Sequence, residues 1–410
     1  MHWKDDLYTM ISSGATSELA GRVCARSTVS NDFTPVRADG SRVYDSFGRG
    51  YMDFCSAVGC ANLGYNNPRI MQAMKDQLET GIVNFSHNDW HNPWATLLSA
   101  KLSRIVPGEG ERVVFLSNSG TEAVECALKM LYKFHQTHDT RRNVYVSFVG
   151  AFHGRTLGSL MLNASKVVHR SGFPRASQAE HLPFPEIGTQ VDLIRVARER
   201  LALDRVAGVF VELVQGEGGI NVADAEQIIA FRNFLRENGI PLVVDEVQTG
   251  MYRTGKLLAC DHCAGIDPDI VTLGKSLGGG LPIGATVAKR EFDFPENGAH
   301  SNTFGGNALV SVAALETLQI FSDMEETGYF TSPTFQLIQK KLEEISDSGL
   351  GFMRRIVCES AEARSAILGR ALKNGLILLG SGAKNIRLMP PVNISHGDMK
   401  WGAALLKASL

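Results

Sequence analysis

No stretch of this sequence approaches the roughly 18 consecutive apolar residues that a membrane span needs. An excess of either charge is missing too. Lys+Arg number 41 against 43 Asp+Glu, a formal net charge of −2, so there is no electrostatic case for nucleic acid. The opening MHWKDDLYTM carries acids and lacks an apolar h-region, which argues against a secretory signal. Cysteines are few, odd in number and scattered (Cys24, Cys55, Cys60, Cys126, Cys260, Cys263, Cys358), a pattern of reduced thiols rather than a disulfide framework. Cys260-Asp261-His262-Cys263 has the look of half a zinc site, but no second pair stands at ribbon spacing, so no metal is expected. The expectation is a soluble, cytoplasmic protein.

Apolar residues are plentiful. They make up 44% of 410 residues, enough for a large core and for two or three domains. Leu242-Val243-Val244 reads as a buried strand and ends in Asp245 and Glu246. A second apolar run, Ile270 to Leu273, delivers Lys275 into a glycine-rich turn. Acids at the carboxyl ends of such strands face the ligand crevice of open α/β sheets. A fixed acid and a lysine suit pyridoxal 5′-phosphate, whose aldehyde forms a Schiff base with lysine and whose ring nitrogen pairs with an acid. Leu273-Gly274-Lys275-Ser276 mimics the end of a P-loop, but Asp269 stands where that motif needs its first glycine. Gly216-Glu217-Gly218-Gly219 lacks the spacing of a dinucleotide fingerprint.

Along the chain, turn signals fall at Ser12-Ser13-Gly14 and Asn31-Asp32. Val43-Tyr44-Asp45 and Tyr51 to Phe54 suggest a hairpin, and Pro68 to Leu78 and Pro93 to Ile105 suggest amphipathic helices. Val113 to Leu116 runs through Ser117-Asn118-Ser119-Gly120-Thr121 into a helix, a seat for phosphate at the positive end of the helix dipole. Strand and helix then alternate through Val144 to Val149, Val209 to Val214, Leu242 to Val247 and Ile270 to Leu273, which predicts a mainly parallel, doubly covered sheet. From about Gly306, helical periodicity over Leu309 to Ile320 and Phe335 to Ile345 precedes shorter strands. The expected division is an N-terminal segment (1–60), a large domain (61–305) and a smaller α+β domain (306–410).

SNSGTEAVECALK, AFHGRT, VELVQGEGG, VVDEVQTG, PDIVTLGKSLGGGLPIGA, NTFGGN and RLMPP occur in one order between Tyr44 and Pro391. In these pieces the chain resembles the class III (ω-type) aminotransferases of pyridoxal-phosphate fold type I, the 4-aminobutyrate, ornithine and acetylornithine enzymes. The resemblance implies that Lys275 holds the cofactor and moves the proton, while Asp245 keeps the ring nitrogen protonated. It further implies Gln248 at the ring hydroxyl, Phe152 and Val247 on the ring faces, His153 beside the cofactor, and Gly120 and Thr121 at the phosphate. Thr303 would reach the phosphate of a neighbouring subunit, making a homodimer with shared sites, with further pairing into tetramers left open. On the substrate side, Arg155 would take a distal carboxylate and Arg387 the α-carboxylate of glutamate or 2-oxoglutarate. Glu212 would pair with Arg387 when no such carboxylate is present. Val58, aliphatic where ornithine-type members carry tyrosine, favours 4-aminobutyrate as amino donor.

Several departures stand out. Asn307-Ala308 replaces the usual Asn-Pro, Ser348 replaces an arginine, Phe352 to Cys358 is unusually basic, and the chain is slightly short. The implied reaction is ping-pong transamination between an ω-amino acid or diamine and 2-oxoglutarate. The alternative is a racemase or aminomutase of the same superfamily. A dead scaffold would need a lost lysine or acid, and neither is lost.

Overall fold

The protein is described by a computed structural model covering residues 2–25 and 33–410. The Asn31-Asp32 turn signal lies outside these residues. A central sheet of seven strands dominates: β1 (Arg112–Ser117), β2 (Val144–Phe148), β3 (Gln178–Leu182), β4 (Val206–Val211), β5 (Leu242–Asp245), β6 (Ile270–Gly274) and β7 (Gly284–Lys289). Their spatial order is β1-β7-β6-β5-β4-β2-β3. β7 runs antiparallel to both neighbours, and the other pairings are parallel. The sequence pattern leaves β7 out because its Gly284-Ala285 start follows three glycines that read as a turn.

The strands are apolar on both faces because both are covered. On one side Val209, Val244 and Leu273 join a core with Leu98, Leu102 and Phe231. On the other, Phe210, Val243 and Ile270 pack against Met130 and Leu131 of the helix Gly120–His138. Alternate residues of one strand serve opposite layers, and every β5 residue is buried. The parallel strands therefore deliver their carboxyl ends to one edge of the molecule, where the chain turns away from the sheet.

Two smaller sheets flank this edge. Pro35–Asp39, Arg42–Asp45 and Gly50–Asp53 form an antiparallel meander, and Leu376–Ile377 from the C-terminal part adds a parallel strand to it. Ser348–Leu350, Met353–Val357, Asn385–Leu388 and Leu379–Ser381 make the other. The basic strand has a local explanation. Arg355 donates to Ser348 Oγ at 2.7 Å and reaches Asn221 Oδ1 and Glu186 at 2.7 Å each, tying this sheet to the Val214–Val222 hairpin. Serine at 348 thus accepts from Arg355.

The first residues form helices, Trp3–Ser12 and Thr16–Val23, where the sequence pattern gave only mixed character. Neither helix buries a residue against the rest of the described chain. No helix among the described residues is long and apolar enough to cross a membrane.

Candidate active site

Five strand ends converge on a cleft lined by Gly120, Thr121, Phe152, His153, Asp245 and Lys275, with Glu212, Glu217, Val247 and Gln248 also on its wall. Asp245 closes β5, where the pairing register sets it beside Thr272 of β6. Its Oδ1 accepts from Thr272 Oγ1 at 3.1 Å and from the Val247 N–H at 3.0 Å; its Oδ2 faces His153 Nδ1 at 2.8 Å. Burial alone would strip the proton from His153, but Asp245 and then Glu212 push the other way and its pKa is raised. His153 Nε2 is buried without a partner. The imidazole thus backs the acid as well as lining the cleft.

Lys275 follows β6 directly, with φ at +44°, a left-handed conformation that turns the side chain off the strand line. Its Nζ makes no hydrogen bond among the described residues. Burial lowers its pKa and outweighs Asp245 and Cys60, which act to raise it. A buried amine with a lowered pKa is a ready nucleophile and base.

Opposite, Ser119 caps the helix Gly120–His138 by accepting from the Glu122 N–H at 3.3 Å, and Glu122 reaches back to the Asn118 N–H at 2.7 Å. These two contacts leave the first-turn N–H groups of Gly120 and Thr121 for an anion. A side chain at 120 would stand 2.5 Å from Val247 Cγ1, so only glycine lets the helix start so near the cleft wall. Gln248 Oε1 is buried with no partner among the described residues, and Gly216 comes so close that an added Cβ would stand 1.9 Å from it.

These features answer the needs of pyridoxal phosphate one by one. A lysine with an uncommitted amine would meet its aldehyde, a buried acid its ring nitrogen, an orphaned amide oxygen its ring hydroxyl, and a helix start its phosphate. Phe152 and Val247 supply apolar wall. The residues fit the group.

The substrate side differs from expectation in two places. Glu212 does not pair with Arg387. Its two oxygens accept from the Phe152 N–H at 2.9 Å and the Gly216 N–H at 3.1 Å, and burial pushes its pKa up to about 7 despite His153. The partner of Arg387 is Glu217, five residues on in the same VELVQGEGG stretch, in direct contact through Nη1. The reason is the hairpin after Leu213, which turns Glu217 toward the strand Asn385–Leu388 while Glu212 stays behind the Phe152 loop. Two acids in one short motif look alike in sequence; only the turn between them separates their roles. Burial would raise the Glu217 pKa, but Arg387, Lys166 and Lys275 hold it below the ordinary range.

Val58 does not line the cleft. Its side chain is 40% exposed and looks into a neighbouring apolar hollow with Phe33, Tyr65 and Leu379. The residue of that loop nearest the lysine is Gly59, where an added Cβ would lie 3.7 Å from Lys275 Cδ. Thr303 is exposed on a bend and is not among the residues lining this chain's own cleft. Arg155 is exposed at the rim, with its guanidinium over the Phe152 ring at 5.5 Å and 3.2 Å from His169 Nε2. Burial, then Arg155 and Lys166, lower the His169 pKa, so the imidazole is neutral. Among the described residues Arg155 has no acidic partner.

The class-III aminotransferase family profile matches residues 23–410. The chain is 33% identical over 392 residues to the acetylornithine aminotransferase of Wolinella succinogenes, covering 90% of this chain and 92% of that one. It is 34% identical over 364 residues to the acetylornithine aminotransferase of Archaeoglobus fulgidus, covering 88% and 92%. Among solved structures, adenosylmethionine-8-amino-7-oxononanoate aminotransferase from Methanocaldococcus jannaschii aligns with a TM-score of 0.87 at 26% identity, over 97% of this chain and 98% of that one. Ornithine aminotransferase from Toxoplasma gondii shares the fold at a TM-score of 0.85 and 24% identity, over 99% and 96%. With the lysine, acid and phosphate seat already assembled at the strand ends, the chain belongs to the class-III aminotransferases, pyridoxal-phosphate-dependent transferases of fold type I.

Proposed function

We propose that this aminotransferase moves the terminal amine of an ornithine-type donor, in the manner of N-acetylornithine, to 2-oxoglutarate in two half-reactions. The observation that carries this reading is the unequal state of two arginines. Arg387 is neutralised by Glu217, whereas Arg155 at the rim faces, among the described residues, an aromatic ring and an imidazole but no acid. An unpaired guanidinium is a standing receptor for a carboxylate, bound through two parallel hydrogen bonds. Arg155 therefore takes the carboxylate at the far end of the donor. Arg387 takes the carboxylate beside the reacting carbon of the acceptor, and Glu217 covers it when the donor brings none there. Val58, the residue favouring 4-aminobutyrate, is off the cleft, and the relatives above are named for acetylornithine.

Pyridoxal phosphate, when bound, supplies an aldehyde carbon that accepts the amine and a ring that stores the electron pair left by deprotonation. The chain supplies the rest. Lys275 Nζ anchors the cofactor and moves the proton at the reacting carbon. Asp245, backed by Thr272 and His153, holds the proton on the ring nitrogen. Gln248 orients the ring hydroxyl, and Phe152 and Val247 hold the ring plane and exclude water. Gly120 and Thr121 bind the phosphate through their N–H groups.

A second copy of the chain completes this reading. Phe304 and Trp90 are 59% and 60% exposed around Thr303, and Phe85 packs on Trp90 at 5.0 Å. Large aromatics left facing water in one patch mark a surface that a partner covers. Thr303 would then stand at the partner's phosphate in a homodimer. Seven free thiols suit a cytoplasmic setting.

The test is a donor panel with 2-oxoglutarate as acceptor, scored by glutamate formed. N-acetylornithine or ornithine is expected to exceed 4-aminobutyrate in kcat/KM. A panel led by 4-aminobutyrate overturns the donor assignment.

A further inference from the structure

Three consecutive residues with side chains, Ser56, Ala57 and Val58, have φ of +46°, +49° and +60°, and Gly59 follows at +89°. L residues avoid this region because Cβ crowds the carbonyl oxygen, so such a run persists only where its surroundings hold it. Asp53 holds it. Its buried carboxylate accepts from the Cys55 N–H at 2.6 Å, the Ala57 N–H at 3.1 Å and the Tyr65 hydroxyl at 2.7 Å. Burial raises the pKa of this carboxyl, and the same hydrogen bonds oppose the rise.

The turn joins two parts of the active site. At its exit, Ser276 Oγ, next to Lys275, donates to the Gly59 carbonyl at 2.6 Å. At its entry, Ser56 Oγ donates to the Met389 carbonyl at 2.6 Å, and the Met389 N–H donates to Phe54 O at 2.7 Å. Met389 lies two residues beyond Arg387. The end of β6 and the end of the Asn385–Leu388 strand are thus fastened to opposite ends of one strained turn.

We propose that Asp53 is a positioning residue for the transamination: by holding the left-handed turn 56–59 it fixes Arg387 relative to Lys275. The proposal rests on Arg387 as receptor for the acceptor's carboxylate. Asp53 does not line the cleft and acts through the turn. An amide at position 53 offers one accepting oxygen in place of two. Whichever way it rotates, its NH2 meets the N–H of either Ala57 or Cys55, so Asp53→Asn loosens the turn while conserving shape.

Two readouts test this. In the cofactor-free protein, amide hydrogen exchange over residues 54–61 is expected to quicken in Asp53→Asn. In the loaded enzyme the KM for 2-oxoglutarate is expected to rise by about tenfold, the worth of one hydrogen bond to a charged group. Adding Ala57→Gly, which removes the steric strain at the centre of the turn, is expected to return KM toward the parent value. A purely structural Asp53 would lower the melting temperature and leave the KM of the folded enzyme alone, and that result overturns the proposal. If Asp53→Asn does not fold, Ser276→Ala cuts the turn from the lysine instead; an unchanged KM there overturns it equally. Arg387→Ala is carried alongside. If it leaves the acceptor's KM unmoved, the Arg387 reading fails, whereas normal exchange in Asp53→Asn marks failure of the Asp53 proposal itself.

Discussion

Glu217→Gln tests the arrangement of the two half-reactions most sharply. The Arg387 side chain is only 4% exposed and that of Glu217 17%, and Glu217 is the only acid in ion-pair contact with Arg387 among the described residues. Arg387 Nε is buried with no partner. A buried charge left without its partner typically costs about 3–5 kcal/mol. Because Glu217 keeps some exposure and glutamine still accepts a hydrogen bond, about 2–3 kcal/mol is the better figure. In the parent enzyme an incoming carboxylate must first displace Glu217; in the variant it meets an unpaired guanidinium. Substrates with a carboxylate beside the reacting carbon therefore gain that energy. An ω-amine gains nothing, and faces an unshielded cation. At ~1.4 kcal/mol per tenfold, the preference for glutamate over the ω-amine shifts by about 30- to 150-fold. Rapid mixing under single-turnover conditions, following cofactor absorbance, measures each half-reaction separately. Equal changes in both halves refute the reasoning. So does a preference shift produced by Glu212→Gln rather than by Glu217→Gln.

Other perturbations have defined outcomes. Asp245→Asn removes the charged partner of His153, the charge that would face the ring nitrogen. The expected loss in kcat at saturating cofactor is about 100- to 1,000-fold, on the scale of other preorganised electrostatic contacts, and a loss under tenfold contradicts the role. Glu212 has a folded pKa of about 7 against an ordinary 4.5, so between those values the folded state binds more protons than the unfolded chain. The contribution of this group to the stability of the cofactor-free protein then falls as pH rises from about 4.5 to about 7, by about 3 kcal/mol. Urea midpoints at pH 5 and pH 8 measure the drop, and Glu212→Gln should flatten it; an equal drop in the variant removes Glu212 as its source. Arg355→Ala severs the ties to Glu186, Asn221 and Ser348 at once. With its side chain 18% exposed, about 1–2 kcal/mol is expected in denaturant titration, and no shift contradicts the clamp.

Much of the fold is legible because its signals are local. Alternation of buried strands with helices, the capping of Gly120–His138 by Ser119 and the helix-opening Pro68 and Pro93 all sit within a few residues of what they specify. The cofactor residues are legible for a related reason. Asp245 and Lys275 each end a strand, and parallel strands bring their carboxyl ends to one edge. What escapes the sequence depends on a turn or a distant contact. Glu212 and Glu217 differ only by the hairpin between them. Val58 points away from the cleft because three left-handed residues turn the loop, a conformation that no composition signal announces at Ser56-Ala57-Val58. Strand β7 follows glycines that hide it. The helices at the N-terminus bury nothing in the chain, so no core contact marks them.

The account depends most on Lys275 as the residue that bonds the cofactor. Borohydride reduction of the protein loaded with pyridoxal phosphate, followed by proteolysis and mass mapping, reads this directly. Borohydride turns a lysine–cofactor linkage into a stable secondary amine, so the predicted result is one pyridoxyl group per chain, on the peptide bearing Lys275. The adduct on another lysine, or none on Lys275 in protein that binds the cofactor, would contradict the account at its centre.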